Sequence, residues 1–229
     1  NMTKVALHSI GQTPRPDLTP FIVAALGIPD IIITGALDPL TAKDVAPVAK
    51  GDFPLETRLS DGTRVEVSAS FLQPLIQAQI DEVENEVDLH IVLCAGPFPD
   101  LVSKSLIVRP FEYACQVFAR AKMRRLLVVV PFKGQVAPAH TKWSAVGFQT
   151  DVRSMNELEP GLTADTWLAK LASESTADAL VLDYVGYSKA ILDGVKRKVN
   201  IPVIDLGYLA IDFAREIITE KEKEARRLS

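Results

Sequence analysis

Leu89-His90-Ile91-Val92-Leu93-Cys94-Ala95-Gly96-Pro97 is the stretch on which the reading of this chain turns. Its first five residues form a short, largely apolar run of the kind that makes a buried strand. A thiol stands at the end of that run, and a turn of small residues follows it. Later in the chain Ala179-Leu180-Val181-Leu182 ends in the same way, in Asp183-Tyr184-Val185-Gly186-Tyr187. In parallel α/β sheets, ligands bind outside the carboxyl ends of the strands. The two tips therefore mark where chemistry is to be sought, and their likeness predicts two similar halves facing each other across one cleft.

Working outward, strands alternate with helices along the whole chain. Further strands are predicted at residues 5–10, 31–34, 106–108, 126–130, 148–150 and 202–204. The runs 55–59 and 63–67 flank Ser60-Asp61-Gly62, a hairpin signal. Asp17 is the expected N-cap of a helix holding Phe21, Ile22, Ala25 and Leu26. Other helices are expected at 72–86, 111–122, 137–146, 163–173, 188–198 and 206–220, with the charged tail 220–229 fraying. This alternation is the pattern of an α/β fold with parallel sheets. We expect one lobe of residues 2–108 with 205–229 and a second of 109–204, the active-site cleft lying between them. The last helix would pack back on the first lobe.

Of 229 residues, 48% are hydrophobic and 24% charged, enough apolar material for a core that needs no disulfide or metal. The net charge of −4 argues against a nucleic-acid partner. No apolar run approaches the ~18 residues of a membrane span. Asn1 before Met2 reads as the remnant of a tag, and no export signal follows. A cytoplasmic location is expected, with Cys94 and Cys115 as free thiols; a disulfide between them is the alternative.

Cys94 leads the candidates for chemistry. A thiol at a strand tip can move a proton or attack an electrophilic carbon, although a cysteine after Ile-Val-Leu also serves as a small buried hydrophobe. Cys115, within a helix, reads as buried structure. Asp183 is either a ligand contact or an acceptor for nearby N–H groups, and Tyr184 and Tyr187, bracketing Gly186, are either hydrogen-bond donors to a substrate or packing at a helix entry. Gln12-Thr13-Pro14-Arg15 follows the first strand, and Arg15 on a proline-stiffened loop suits a carboxylate; a surface salt bridge is the other reading. Ser68 and Ser70 add hydroxyls. Gly134 and Gln135 after Pro131 offer a backbone N–H and an amide to an oxyanion. His8, His90 and His140 show no metal-ligand spacing and read as structural, so no metal is expected. Neither G-x-S-x-G nor G-x-G-x-x-G is present, which excludes the usual serine hydrolase and Rossmann dehydrogenase.

Ile10-Gly11-Gln12-Thr13-Pro14-Arg15-Pro16-Asp17, Val67-Ser68, the strand ending at Pro131 with Gln135 after it, and Leu182-Asp183-Tyr184-Val185-Gly186-Tyr187 together resemble the AroM family. That family is itself similar to the cofactor-independent aspartate/glutamate racemase superfamily, with hydantoin racemases, maleate isomerases and arylmalonate decarboxylases. Ile201-Pro202-Val203-Ile204-Asp205 also looks like that superfamily. The resemblance implies two pseudo-symmetric, flavodoxin-like α/β lobes with parallel sheets and no cofactor. It further implies a thiol pair working on opposite faces of a carbon next to a carboxylate. Cys94 stands at the first thiol position and Tyr184 at the second. Relatives often form dimers, so the resemblance leaves a homodimer possible, while the sequence itself does not give the oligomeric state.

A thiol and a phenol differ by ~1.5 pK units in model compounds, which favours a one-thiol isomerisation or decarboxylation over symmetric racemisation. The expected function is a racemase, isomerase or lyase acting on a small carboxylate. Cys94 and Tyr184 would be catalytic. Gln12, Thr13 and Arg15 would hold the carboxylate, and Ser68, Gly134, Gln135, Asp183, Gly186 and Tyr187 would contact the substrate. The alternative is a protein on the same scaffold that binds or senses a metabolite without turning it over.

Overall fold

The computed structural model describes residues 3–28 and 30–229. Asn1 and Met2, set aside above, lie outside them. In chain order the elements are β1 (Val5–Ser9), α1 (Thr19–Leu26), β2 (Ile31–Gly35), β3 (Pro54–Arg58), β4 (Arg64–Ser68), α2 (Ala69–Val83), β5 (Leu89–Val92), β6 (Leu106–Val108), α3 (Pro110–Arg120), β7 (Arg125–Val130), α4 (Val136–Ser144), β8 (Gln149–Ser154), α5 (Ala164–Ser173), β9 (Ala179–Leu182), α6 (Lys189–Lys196), β10 (Val203–Asp205) and α7 (Leu206–Leu228). The chain divides into two compact units. Unit 1 runs to Pro110 and resumes at Leu209; unit 2 is Phe111–Tyr208.

Each unit is built on a four-stranded parallel sheet. In unit 1 the order is β2-β1-β5-β6, and in unit 2 it is β8-β7-β9-β10. Both sheets put their first strand inside, their second at the edge beside it and the later two on the other side. The likeness of the two strand tips thus extends to the winding of each sheet. The central strands β1, β5 and β9 are buried at every position, and β7 is buried from Leu126 on. Helices cover both faces of such strands, so apolar side chains point both ways and no alternation shows.

In unit 1 one face of the sheet, through Val5, Leu7, Leu89 and Ile91, packs on Ile22 and Leu26 of α1 and on Ala210, Ile211, Ala214 and Ile218 of α7. Beyond the other face, Val92 and Cys94 join Leu72, Ile76 and Ile80 of α2 and Leu55 and Val67 of the β3–β4 hairpin. The hairpin is antiparallel, as Ser60-Asp61-Gly62 predicts.

Two expectations need correction. Asp17 does not cap α1. Leu18 is the residue before the helix, with no side-chain cap, and a proline opens the first turn, where its missing N–H costs nothing. The Asp17 carboxylate is taken by Arg15 instead. The tail does not fray at residue 220 either: α7 continues to Leu228. Its last turns are rich in Glu, Lys, Ala and Arg, all good helix formers, and Arg226 and Arg227 sit favourably at the negative end of the helix dipole.

Ile218 is the last residue of α7 buried on the sheet. Ile218→Ala should cost about 2–5 kcal/mol in urea unfolding. Lys221→Ala and Glu224→Ala, on the exposed end, should stay within about 0.5 kcal/mol.

Candidate active-site strand tips

In unit 1, β5 ends at Val92, and Leu93 N donates to His8 O at 2.9 Å, extending the pairing with β1 by one residue. Cys94 follows, 5% exposed. The backbone N–H of Gly96 donates to its Sγ at 3.3 Å, a bond that strengthens if the sulfur is ionised. Cys94 shares its cluster with Ile10 and Leu37, and with Val67 and Ala69 on either side of Ser68. The thiol, the start of the loop after β1 and the residues flanking Ser68 therefore belong to one apolar cluster of this unit. Ser68 is the N-cap of α2, its Oγ accepting from Phe71 N at 3.1 Å and lying 3.2 Å from Ser70 Oγ.

The loop after β1 is held by its own side chains. Gln12 Nε2 donates to Leu37 O and Leu40 O at 2.9 and 2.7 Å, while its Oε1 accepts from Ser60 N at 2.7 Å. One amide thereby ties three loops together. Thr13 gives its N–H and its hydroxyl to the two oxygens of Asp38, at 2.7 and 2.9 Å. Arg15 forms a two-pronged pair with Asp17, at 2.9 and 2.8 Å, and reaches Thr57 Oγ1 with Nη1 at the longer distance of 3.4 Å. The guanidinium bond holds the Asp17 carboxyl below its usual range. Gly11 is demanded by space: a Cβ there would collide with Arg58 O and Thr57 Oγ1 of β3. A cavity of about 500 Å³ opens beside this loop, with Thr13, Arg15, Thr19 and Ile33 in its lining.

In unit 2, β7 and β9 are parallel neighbours, and Asp183 N donates to Val129 O at 2.9 Å. The candidates after these two strands are therefore adjacent. Gly134 and Gln135 lie in a single 3-10 turn after β7, with Gln135 buried. Asp183 accepts from Lys142 Nζ at 3.1 and 3.0 Å and from Trp143 Nε1 at 2.9 Å. The side chains of this ion pair are 3% and 1% exposed, so Asp183 is an acceptor for its own unit. Tyr184 is 38% exposed and meets Tyr187 edge-on, ring centroids 5.2 Å apart. Gly186 has φ of 137°, and a Cβ there would strike the Tyr184 ring. The Tyr187 hydroxyl is buried without a hydrogen-bond partner.

Asp38 and Lys142 escaped the sequence reading, and Asp205 entered it only as the last residue of a family motif. Asp38, in Ala36-Leu37-Asp38-Pro39 after β2, carried a signal in hindsight: a carboxylate at a strand tip before proline. Lys142 carried none, because a lysine in a helix reads as solvated. Asp205 ends β10 and caps α7, its Oδ1 accepting from Tyr208 N at 2.9 Å; its Oδ2 is buried without a partner. Burial pushes this carboxyl up to about 7, against the pull of the Tyr208 and Gly207 N–H groups. Both cysteines are free. Burial, with help from Glu112, pushes the Cys115 thiol up to about 12, which makes it inert near neutrality.

Lys142→Met should destabilise unit 2 by about 3–5 kcal/mol, because the Asp183 charge stays behind in a dry site. Adding Asp183→Asn should recover part of that loss in urea titrations. Asp205 has a folded value above the 3.8 of an unfolded carboxyl. Its contribution to stability is thus full below pH ~4 and lost as the pH rises to about 7, by roughly 4 kcal/mol at ~1.36 kcal/mol per unit. Asp205→Asn should flatten that slope in unfolding curves read by Trp143 and Trp167, both of which lie in unit 2.

No protein with a curated description matches the chain. Among solved structures, a liganded double mutant of arylmalonate decarboxylase superposes with a TM-score of 0.64 at 11% identity, covering 95% of this chain and 93% of that one. An aspartate racemase homologue from Pyrococcus horikoshii OT3 gives 0.54 at 12%, covering 95% and 100%. The maleate isomerase Iso from Pseudomonas putida S16 gives 0.54 at 12%, covering 91% and 90%. At such identities the likeness establishes the fold, a racemase-like α/β architecture with parallel sheets. The model of the AroM protein family matches residues 5–218, nearly the whole length, and the chain belongs to that family.

Proposed function

We propose that this AroM protein is a cofactor-independent racemase, isomerase or lyase acting on a small carboxylate through the thiol of Cys94. The observation that carries the reading is the Gly96 N–H directed at Cys94 Sγ at the end of a buried parallel strand. A hydrogen bond to sulfur favours the thiolate, the form that acts as base or nucleophile. Cys115 cannot take that part, its thiol being pushed up to about 12. Arylmalonate decarboxylase, aspartate racemase and maleate isomerase share the fold, and each name carries a carboxylate substrate.

In this reading the Cys94 thiolate either removes the proton next to the carboxylate or adds to an activated double bond. Tyr184, the more exposed of the paired phenols, returns a proton to the carbanion. Thr13 and Arg15 hold the carboxylate, the loosely bonded Nη1 of Arg15 being the donor with most to offer. Gln12 keeps their loop in shape. Ser68, Gly134, Gln135, Gly186 and Tyr187 complete the contacts, with Asp183 behind them. No helix among the described residues is long and apolar enough to cross a membrane. Two free thiols support a cytoplasmic setting.

A second reading, a protein that binds or senses a metabolite without turnover, draws on one observation. The groups proposed to hold a carboxylate already have partners in their own chain, Arg15 with Asp17 and Thr13 with Asp38.

The two readings separate in heavy water. Aspartate, maleate and an arylmalonate are incubated with the protein and followed by NMR for exchange, isomerisation or decarboxylation. Turnover of one of them that falls by about 10²–10⁴-fold in Cys94→Ala, and survives in Cys115→Ala, is the expected result. Full turnover in Cys94→Ala defeats the mechanism. A metabolite retained through purification, with no exchange at its α-carbon, favours the second reading.

A further inference from the structure

His8 on β1 and His90 on β5 take no part in the chemistry above, and both are fully buried. Alternation along the strands puts them on one face of the sheet, that of Ala6, which packs on Val83 of α2. A row of short bonds strings them across three strands. His8 Nδ1 lies 2.7 Å from Thr34 Oγ1 on β2, His8 Nε2 lies 2.9 Å from His90 Nδ1, and His90 Nε2 lies 3.1 Å from Ser103 Oγ. Ser103 also bonds the side chain of Glu84, just past α2, whose Oε1 accepts from Lys104 N at 2.6 Å.

The direction of every bond follows from what each group can donate. The backbone N–H of Lys104, then Ser103, holds the Glu84 carboxyl below its usual range, so it is ionised and only accepts. Ser103 has one hydroxyl hydrogen, and it donates that hydrogen bond to Glu84. Ser103 Oγ then accepts from His90, which must carry its proton on Nε2. A neutral His90 accepts at Nδ1, so His8 donates from Nε2, and Thr34 donates to His8 Nδ1. Burial keeps both rings neutral: it lowers His8 to about 3, with His90 adding to the effect, and it lowers His90 against the opposing pull of Glu84. The charge facing His90 is Glu84, Lys104 faces Glu84 from the loop before β6, and β2 presents the Thr34 hydroxyl.

We propose that Thr34, His8, His90, Ser103 and Glu84 are an acid sensor built into unit 1, in which protonation of the histidine pair parts β1 from β5 and loosens the strand tip that carries Cys94. One added proton is tolerated. It enters at His8 Nδ1, and the Thr34 hydroxyl turns round to accept. A second proton must sit on His90 Nδ1, where it meets the Nε2–H of His8 head-on at a separation made for one hydrogen. The bond between β1 and β5 side chains then breaks, and two cations share a dry site. Leu93 and Cys94 continue β5 directly from this point. The device does not depend on the reaction assigned to Cys94.

Nitrogen-15 NMR of labelled histidine at neutral pH should show both rings as Nε2–H tautomers. On acidification, amide exchange in β1 and β5 should rise as the pair takes its second proton, while β7 and β9 stay protected. Cys94 should gain reactivity in the same range toward a dipyridyl disulfide, which reacts in acid. Glu84→Gln keeps an acceptor for Ser103 but removes the counter-charge, so the transition should move to lower pH by several tenths of a unit. The proposal is overturned by an Nδ1–H tautomer in either ring, by protection that persists in the doubly protonated pair, by simultaneous exchange of β7 and β9, or by a Glu84→Gln midpoint that rises or stays.

Discussion

Burial of the central strands on both faces is the constraint from which the rest follows. β1, β5, β7 and β9 carry almost nothing but apolar side chains because helices or loops cover them on each side. Their N–H and C=O groups are satisfied by the parallel ladders, and an unpaired one would be costly. Polar side chains are therefore tolerated where the ladder runs out, at the carboxyl ends. Cys94 and Asp183 stand there, each with hydrogen bonds from its own unit. The fully buried pair within a sheet, His8 with His90, is admitted because every ring nitrogen finds a partner.

Two buried groups, one in each unit, meet acid differently. His8 has a folded value below that of a free histidine, so the stability tied to its neutrality is full above pH ~6.5 and lost as the pH falls toward 3. Asp205 works in the opposite sense over an overlapping range, since a buried carboxyl prefers to keep its proton. One chain thus joins two buried groups, His8 in unit 1 and Asp205 in unit 2, whose contributions to stability run in opposite senses with pH. A single unfolding midpoint measured near pH 5 averages over that opposition.

Much of the architecture could be read from the chain because its signals are local. Apolar runs such as 126–130, the Asp61-Gly62 turn and the helical spacing of Leu72, Ile76 and Ile80 each act over a few residues. The tips carrying Cys94 and Asp183 could be located for the same reason. Partnerships between distant segments were not legible. Nothing near Gln12 announces that its amide closes on residues 37, 40 and 60, and nothing near Lys142 announces Asp183. Asp17 misled because its cap signal was real, while a nearer guanidinium outcompeted the helix N-terminus. The tail misled because charge was taken for disorder in residues that are also strong helix formers.

Gly11 sits where the end of β1 passes the backbone of β3 too closely for any side chain. The β3–β4 hairpin and the loop after β1 are therefore not separate inheritances. A lineage that replaces Gly11 must reshape the hairpin with it, and one that lengthens or shifts the hairpin releases Gly11 from its constraint. Change in one of these two segments is expected to arrive with change in the other.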